Sequence, residues 1–361
     1  DSGTISAATA NQLAATTIGT VTAAIDTTAT INGLKTLTGT NAYTIVINSG
    51  DASALASDLT AIDNATSRAI DASAVTNIIG TVGEVQTLYG SSGLSELGNE
   101  TINVNGDITV AEANAIDLLT TETVSASIAS SETVSNLKTL TGNNAYLITI
   151  GTSDSTVKAS DLNMINDLTT ATVNASVVKS IAPDTASNIK TLLTAGNDTS
   201  QFTETSFANL TSVSVFNATE YLESNADLKE FFGSDLEAAT THYVNNGRSE
   251  GRTDGTKDVS DLNAIIASAN TATGGTSTVL ELSLSSTINS GTESEFNALL
   301  THENNGQINI INQNLTVDSG TLSVSTANLL DGTTAGTVTA TIATDSSVDS
   351  LATLTGTNAY T

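Results

Sequence analysis

Apolar positions along this chain switch repeatedly between a two-residue and a helical period. From Thr20 to Ile25 they alternate, Val21, Ala23 and Ile25 facing one way and Thr20 and Thr22 the other, as in a strand. Ahead of it, Ser6 is placed to cap a helix through Asn11, Leu13 and Ala14 that ends near Gly19. Behind it, Ile31, Leu34 and Leu37 share one face of a helix over Ala29–Leu37, stopped by Gly39, and Tyr43, Ile45 and Ile47 form the inward side of the next strand. The alternation continues with a helix over 56–65, a strand through Ile70, Ala72 and Ala74, helices at 83–88 and 94–97, and a strand at 101–104. Asn105-Gly106-Asp107 then reads as a turn. The same order returns with strands near Val124, Ile148 and Val173 and helices near 113–119, 134–140, 159–168 and 188–193. After a polar stretch from Asn197, a helix–strand step runs from Phe207 to Val215. Further on, strands are expected at 279–284 and 307–311, flanking a helix at 293–300.

A segment of about forty residues occurs three times without insertion, at 4–44, 107–147 and 321–361. Thr20-Val21, Thr123-Val124 and Thr337-Val338 correspond, as do Tyr43, Tyr146 and Tyr360, each closing a Leu-Thr-Gly-Thr/Asn-Asn-Ala-Tyr run. Ala56-Ser57-Asp58-Leu59 returns as Ala159-Ser160-Asp161-Leu162 and is echoed by Val259-Ser260-Asp261-Leu262, so the likeness extends past the opening segment. Strands recur at steps of about 22 to 26 residues, too long for a hairpin and long enough for a strand, a helix and two turns. The expected fold class is therefore α/β: a repetitive β–α solenoid, with a parallel sheet on one side, helices on the other and a small helical insert. Its expected blocks are 1–106, 107–215 and 257–317, with the insert at 216–256 and the start of a further block at 318–361. Thr361 aligns with Thr44, after which a strand continues in the first copy, so the array is expected to run on in a longer chain or in further copies.

Composition narrows what such a scaffold does. With 3% aromatic residues and no Trp, Ala, Val, Ile and Leu must fill the core, which suits thin stacked layers. The 38 acidic and 10 basic residues leave a formal charge of −28, which repels nucleic acid and anionic lipid. No apolar run approaches membrane-spanning length, so no membrane insertion is expected. Cys is absent, removing disulfides, thiolate metal sites and Cys catalysis. Thr20, Thr22, Thr123, Ser125, Thr172, Thr337 and Thr339 fall on the outward side of their strands, which reads either as a solvated β-branched surface or as an interaction face for self-association, cell-surface glycans or ice.

Between Phe216 and Arg252 the composition changes: five of the twelve aromatic residues lie here. Tyr221-Leu222, Asn225-Ala226-Asp227-Leu228, Phe232-Gly233, Ala239, His242-Tyr243, Gly247 and Glu250-Gly251-Arg252 follow in a specific order and spacing. This tenth of the chain resembles a short module of large secreted and cell-surface repeat proteins of cyanobacteria and proteobacteria, with Ala226 in place of the module's Pro. The resemblance implies an extracellular location and no catalysis. The module's marks here are Tyr221, Asn225, Asp227, His242, Tyr243, Gly247, Glu250 and Arg252. Phe231, Phe232 and Tyr243 are expected in its core.

Catalytic constellations are not legible. His242 and His302 are the only histidines, and neither has partners for a zinc set or a nucleophile. Asn103-x-Asn105-Gly106-Asp107 resembles the opening of a calcium loop, but Asn114 stands where the twelfth-position carboxylate belongs. No cofactor is expected; calcium is the one ion that so acidic a chain invites. The expected function is a non-enzymatic structural protein of the bacterial surface, a fibre, surface-layer or adhesin segment. The alternative is a glycan- or ice-binding module using the Thr/Ser face.

Overall fold

A computed structural model of the chain describes residues 3–275, 277–283 and 285–361. It is an α/β protein with parallel sheets, divided into two units. Unit 1 takes in the chain up to Thr149 together with Asp167–Thr172, and unit 2 takes in Ile150–Asn166 and Val173–Thr361.

The abundance of Thr and Ser has a direct structural cause. Many of the helices are entered through a hydroxyl residue that caps them. Ser6, Thr109, Thr133, Thr185, Ser323 and Ser347 each accept a hydrogen bond from the backbone N–H three residues on. Each such cap contributes about 1 kcal/mol. At Thr81, Thr109 and Thr292 the helix returns the bond, with Glu84, Glu112 and Glu295 accepting from the capping residue's N–H.

In unit 1, Thr22–Ile25 pairs in parallel with Thr4–Ile5 on one side and Ala42–Thr44 on the other. A second ladder places Ser53–Leu55, Asn77–Gly80, Thr101–Ile108, Val124–Ile128 and Ala145–Thr149 side by side in chain order. Each pairs with the next across an intervening helix, Ala56–Asn64, Val82–Tyr89, Val110–Asp117 and Val134–Leu137 in turn. Inward positions alternate strictly: Val124, Ala126 and Ile128 are buried while Ser125 and Ser127 are partly exposed. Leu59 and Ile62 of the helix are fully buried, each contributing about 2 kcal/mol by leaving water.

In unit 2, Thr156–Val157, Ser180–Asp184, Ser212–Val215 and Val279–Glu281 form one parallel ladder. Thr256–Asp258, Thr287–Asn289, Asn314–Leu322, Val338–Ile342 and Ala359–Tyr360 form another. Ser212 takes Val279 as its partner, so everything between them leaves the first ladder. That excursion holds helices Ala218–Ser224, Ala226–Phe232 and Leu236–His242, a π-helical turn Tyr243–Gly247, and the long helix Val259–Thr273.

The three similar segments carry the same internal bonds. Asn11 donates to Thr36 O and accepts from Thr38 N–H; Asn114 does so with Thr139 and Thr141, and Asn328 with Thr353 and Thr355, all at 2.8 to 3.0 Å. Asn41, Asn144 and Asn358 accept from the N–H of Val21, Val124 and Val338 at 2.8 to 2.9 Å. Tyr43, Tyr146 and Tyr360 donate to the carbonyls of Ala10, Ala113 and Ala327. Gly39, Gly142 and Gly356 sit at φ +71°, +73° and +75°, the left-handed bend that brings each Asn round. Burial, and the charge of Asp117 after it, push the Tyr146 hydroxyl up to about 12, which keeps it a donor.

Several sequence expectations need correction. Leu94–Ser95 is a strand, not the start of a helix, because it pairs with Ile70–Asp71. Asn105-Gly106-Asp107 is not a turn but an irregularity inside the strand Thr101–Ile108, where the register shifts with Gly106 at φ +86°. Asp318-Ser319-Gly320 does the same within Asn314–Leu322. The helix expected over 29–37 is the short Ile31–Leu34, and the strand expected at 307–311 is a single bridge from Ile308 to Leu280. Leu284, the expected end of the strand that begins at Val279, lies outside the described residues.

Replacing Asn144, which is buried, by Ala leaves the Val124 N–H without its acceptor, and a loss of about 1–3 kcal/mol is expected. Gly142→Ala is also expected to destabilise, since its Cβ would lie 2.5 Å from both Asn144 Nδ2 and Asp117 Oδ1 at a positive φ. Thermal denaturation of both variants, with exposed Leu147→Thr as a near-neutral control, checks this. The caps add a pH dependence. Thr81 N–H, then its hydroxyl, holds Glu84 below the ordinary 4.5, and Thr109 does the same for Glu112. A carboxylate depressed in the folded state stabilises fully above its unfolded pKa, and the contribution vanishes as pH falls through the folded value. At high salt, which screens self-repulsion, the melting temperature is expected to fall as pH drops below 4.5, and less so in the Glu84→Gln, Glu112→Gln variant.

Candidate functional site

Two sets of residues compete for the role of a site: the outward strand positions and the marks of the 216–252 module. The outward positions divide between the units. Thr20, Thr22 and Thr123 are exposed and Ser125 and Thr172 partly so, all in unit 1; Thr337 and Thr339 are exposed in unit 2. Register decides what lies beside them. Thr22 pairs with Ala42, Ser125 with Ala145 and Thr339 with Ala359, so a hydroxyl meets a methyl in the following strand, while on their other side Ser125 meets Asn103 and Thr339 meets Thr316. Elsewhere the polar groups consume one another: Asn77 donates to Ser53 and accepts from Thr101 and Asn103, and Ser180 and Ser212 share a 2.5 Å bond. Leu55 and Leu147 stand exposed on the first and last strands of the second ladder of unit 1. The surface is mixed, polar and aliphatic together.

The module residues converge. Tyr221 is fully buried with its hydroxyl 3.0 Å from His242 Nδ1, and burial pushes that phenol up to about 12, so it stays protonated. Gly247 lies against it: a Cβ there would stand 1.9 Å from the Tyr221 oxygen. Tyr243 stacks on Phe216 at 4.0 Å and 15°, and the Arg248 guanidinium covers its ring at 5.6 Å. Asn225 donates to the carbonyls of Tyr221 and Thr253, joining the module's first helix to the segment that leaves it. Arg252 closes that segment on Asp227 at 2.8 Å and Glu250 at 2.6 Å, and its hydrogen bond holds the Asp227 carboxyl below the usual range. Ala226, where the resembled module has Pro, is the first residue of a helix, a place that tolerates either. Phe232 packs against this core, but Phe231 does not belong to it: it is 81% exposed, pushed outward by helical geometry that lets only one of two adjacent aromatics face inward.

Sequence reading missed the charged group beneath the module. Lys257, 5% exposed, meets Asp254, fully buried, at 2.9 Å. Asp254 also accepts from Ser283 Oγ at 2.6 Å and Asn217 N–H at 3.2 Å, while Glu220 stands 3.7 Å from the ammonium. The stretch Arg252–Asp258 reads as a faint cation loop because its acids and glycine are close in sequence. In space the acid's partner is the lysine three residues on. In unit 1, Glu100 is buried with Tyr89 donating to it at 2.7 Å, and burial first, the carboxylate second, drives the Tyr89 hydroxyl far above its ordinary range.

Among the described residues no group of three or more His, Cys, Asp or Glu side chains is placed to hold a metal ion, and no helix is long and apolar enough to cross a membrane. His242 is held by Tyr221, and His302 Nδ1 by Gln307 at 3.1 Å. No family model, curated protein or solved structure matches the chain.

Lys257→Met is expected to cost about 3–5 kcal/mol by stranding a buried carboxylate. Gly247→Ala is expected to cost about 1–3 kcal/mol through overpacking against Tyr221. Near-UV circular dichroism of the module's tyrosines, followed through denaturation, reads both losses; unchanged midpoints would remove these residues from the module's frame.

Proposed function

We propose that this chain is a non-enzymatic structural segment of a bacterial cell surface or extracellular fibre. In this reading its β–α blocks form one continuous solenoid, sheet to one side and helices to the other, with the 216–256 module as an insert. The observation that carries the proposal is the recurrence of identical bracing in the three similar segments: Asn11, Asn114 and Asn328 on the following corner, and Tyr43, Tyr146 and Tyr360 on the preceding helix. These polar side chains hold one layer to the next. The acidic surface, the absence of Cys and the resemblance of the module support an extracellular setting. Association with further copies through the strand faces and layer ends is part of the proposal, with cell-surface glycans as further contacts.

Small-angle scattering of the purified chain tests the solenoid. A compact globule of this length has a radius of gyration of about 21 Å, and a continuous stack is expected to exceed it clearly, with the skewed distance distribution of a rod. A compact particle would overturn that architecture. Immunogold labelling of intact cells is expected to decorate the exterior; label confined to the interior after sectioning would overturn the location.

A further inference from the structure

One shallow cavity on the module, broadly open to solvent, is used by nothing described so far. It has a volume of about 500 Å³ and is lined by Phe232, Asp235, Glu237, His242, Asn245 and Asn246, among others. Phe232 and His242 meet at 5.5 Å and 62°, giving the wall an aromatic corner, and exposed Phe231 stands perpendicular to Phe232 at 4.9 Å. Two acids and two amides supply the polar part.

We propose that this cavity binds a neutral saccharide of one or two sugar units. The size suits so small a ligand. Sugar rings combine an apolar C–H face, which packs on an aromatic ring, with hydroxyls that donate and accept at once. Carboxylates take the donated bonds, and amides serve both directions. Anionic ligands are disfavoured: Lys and Arg are absent from the lining, two carboxylates are present, and the chain carries −28. Asp235 spends one carboxylate oxygen on the Ala238 N–H as a helix cap, but other polar groups of the lining are uncommitted. The Asn245 and Asn246 side chains and His242 Nε2 have no hydrogen-bond partner among the described residues, whereas Asn11, Asn114 and Asn328 are spent on backbone groups. Both amides sit in the π-helical turn Tyr243–Gly247, a rare geometry that recurs at functional sites. Tyr221 fixes the His242 ring through Nδ1, so Nε2 is left for a ligand.

The proposal stands apart from the solenoid reading, because the module's cavity is formed within 232–246 alone. Saturation-transfer NMR on the full chain with glucose, galactose, mannose and N-acetylglucosamine tests it. At least one sugar is expected to receive saturation through its ring protons. Asn245→Ala and Phe232→Leu are each expected to weaken it at least about fivefold, with circular dichroism and melting unchanged for exposed Asn245→Ala. Thr22→Val, on a strand face, is expected to leave binding intact. No transfer to any sugar, binding that survives Asn245→Ala, or binding lost in Thr22→Val overturns the proposal. So does preferential binding of tetramethylammonium, which would make the corner a cation site.

Discussion

Parallel strands reach their neighbours only through crossovers, and every crossover brings the chain round a corner where backbone N–H and C=O groups leave the ladder. Here those corners are satisfied from within, by short side chains at fixed places. Asn41, Asn144 and Asn358 receive an N–H at the entry of the neighbouring strand, while Asn11, Asn114 and Asn328 bond both ways to the corner that follows the short helix. A buried amide group without a partner costs about 1–3 kcal/mol, comparable to burying a leucine. The rest of the fold rests on this: a core of small aliphatics in thin layers has little reserve with which to offset orphaned corners.

The module solves the same problem by different means. It has few strands and depends on an aromatic core of Phe216, Tyr221 and Tyr243, clasped by Arg252 at its exit and seated over the Lys257–Asp254 pair. Its rings contact one another where no ladder supplies order. The eight residues that mark the module in sequence either fill that core, bend the chain beside it or tie its ends together. Their order records a small fold, and the side chains left over, at its cavity, are the ones free for a ligand.

Much of the architecture was legible because it is periodic. The two-residue alternation at Val124–Ile128 and the hydroxyl residues before many of the helices, Ser6 among them, are local signals, and local structure obeys them. Irregularities within strands were not legible: Asn-Gly-Asp at 105–107 has the composition of a turn, and only the neighbour Val124–Ile128, some twenty residues away in sequence, keeps it extended. Leu94–Ser95 failed for the same reason, its strand state coming from Ile70–Asp71. The Lys257–Asp254–Ser283 group was hidden because its acid and lysine, three residues apart, are set off from any surface pair only by burial, and Ser283 joins them from 29 residues on. Within the module, Phe231 and Phe232 look alike in sequence, and only helix orientation separates a core ring from a surface one.

The bracing bonds share a property with consequences for how such a chain arises. Asn11 with Thr36 and Thr38, Tyr43 with Ala10, and Asn41 with Val21 all close within residues 4–44, and the counterparts close within 107–147 and 321–361. A copying event that duplicates this stretch of gene carries each of these bracing donors with its acceptor, while the edge strand still turns to the layer that follows, as where Tyr43 N–H and carbonyl meet the Thr66 hydroxyl. For the bracing bonds the unit of heredity and the unit of closure coincide, so a change of length by whole layers leaves the new edge, not the interior of the layer, to be matched.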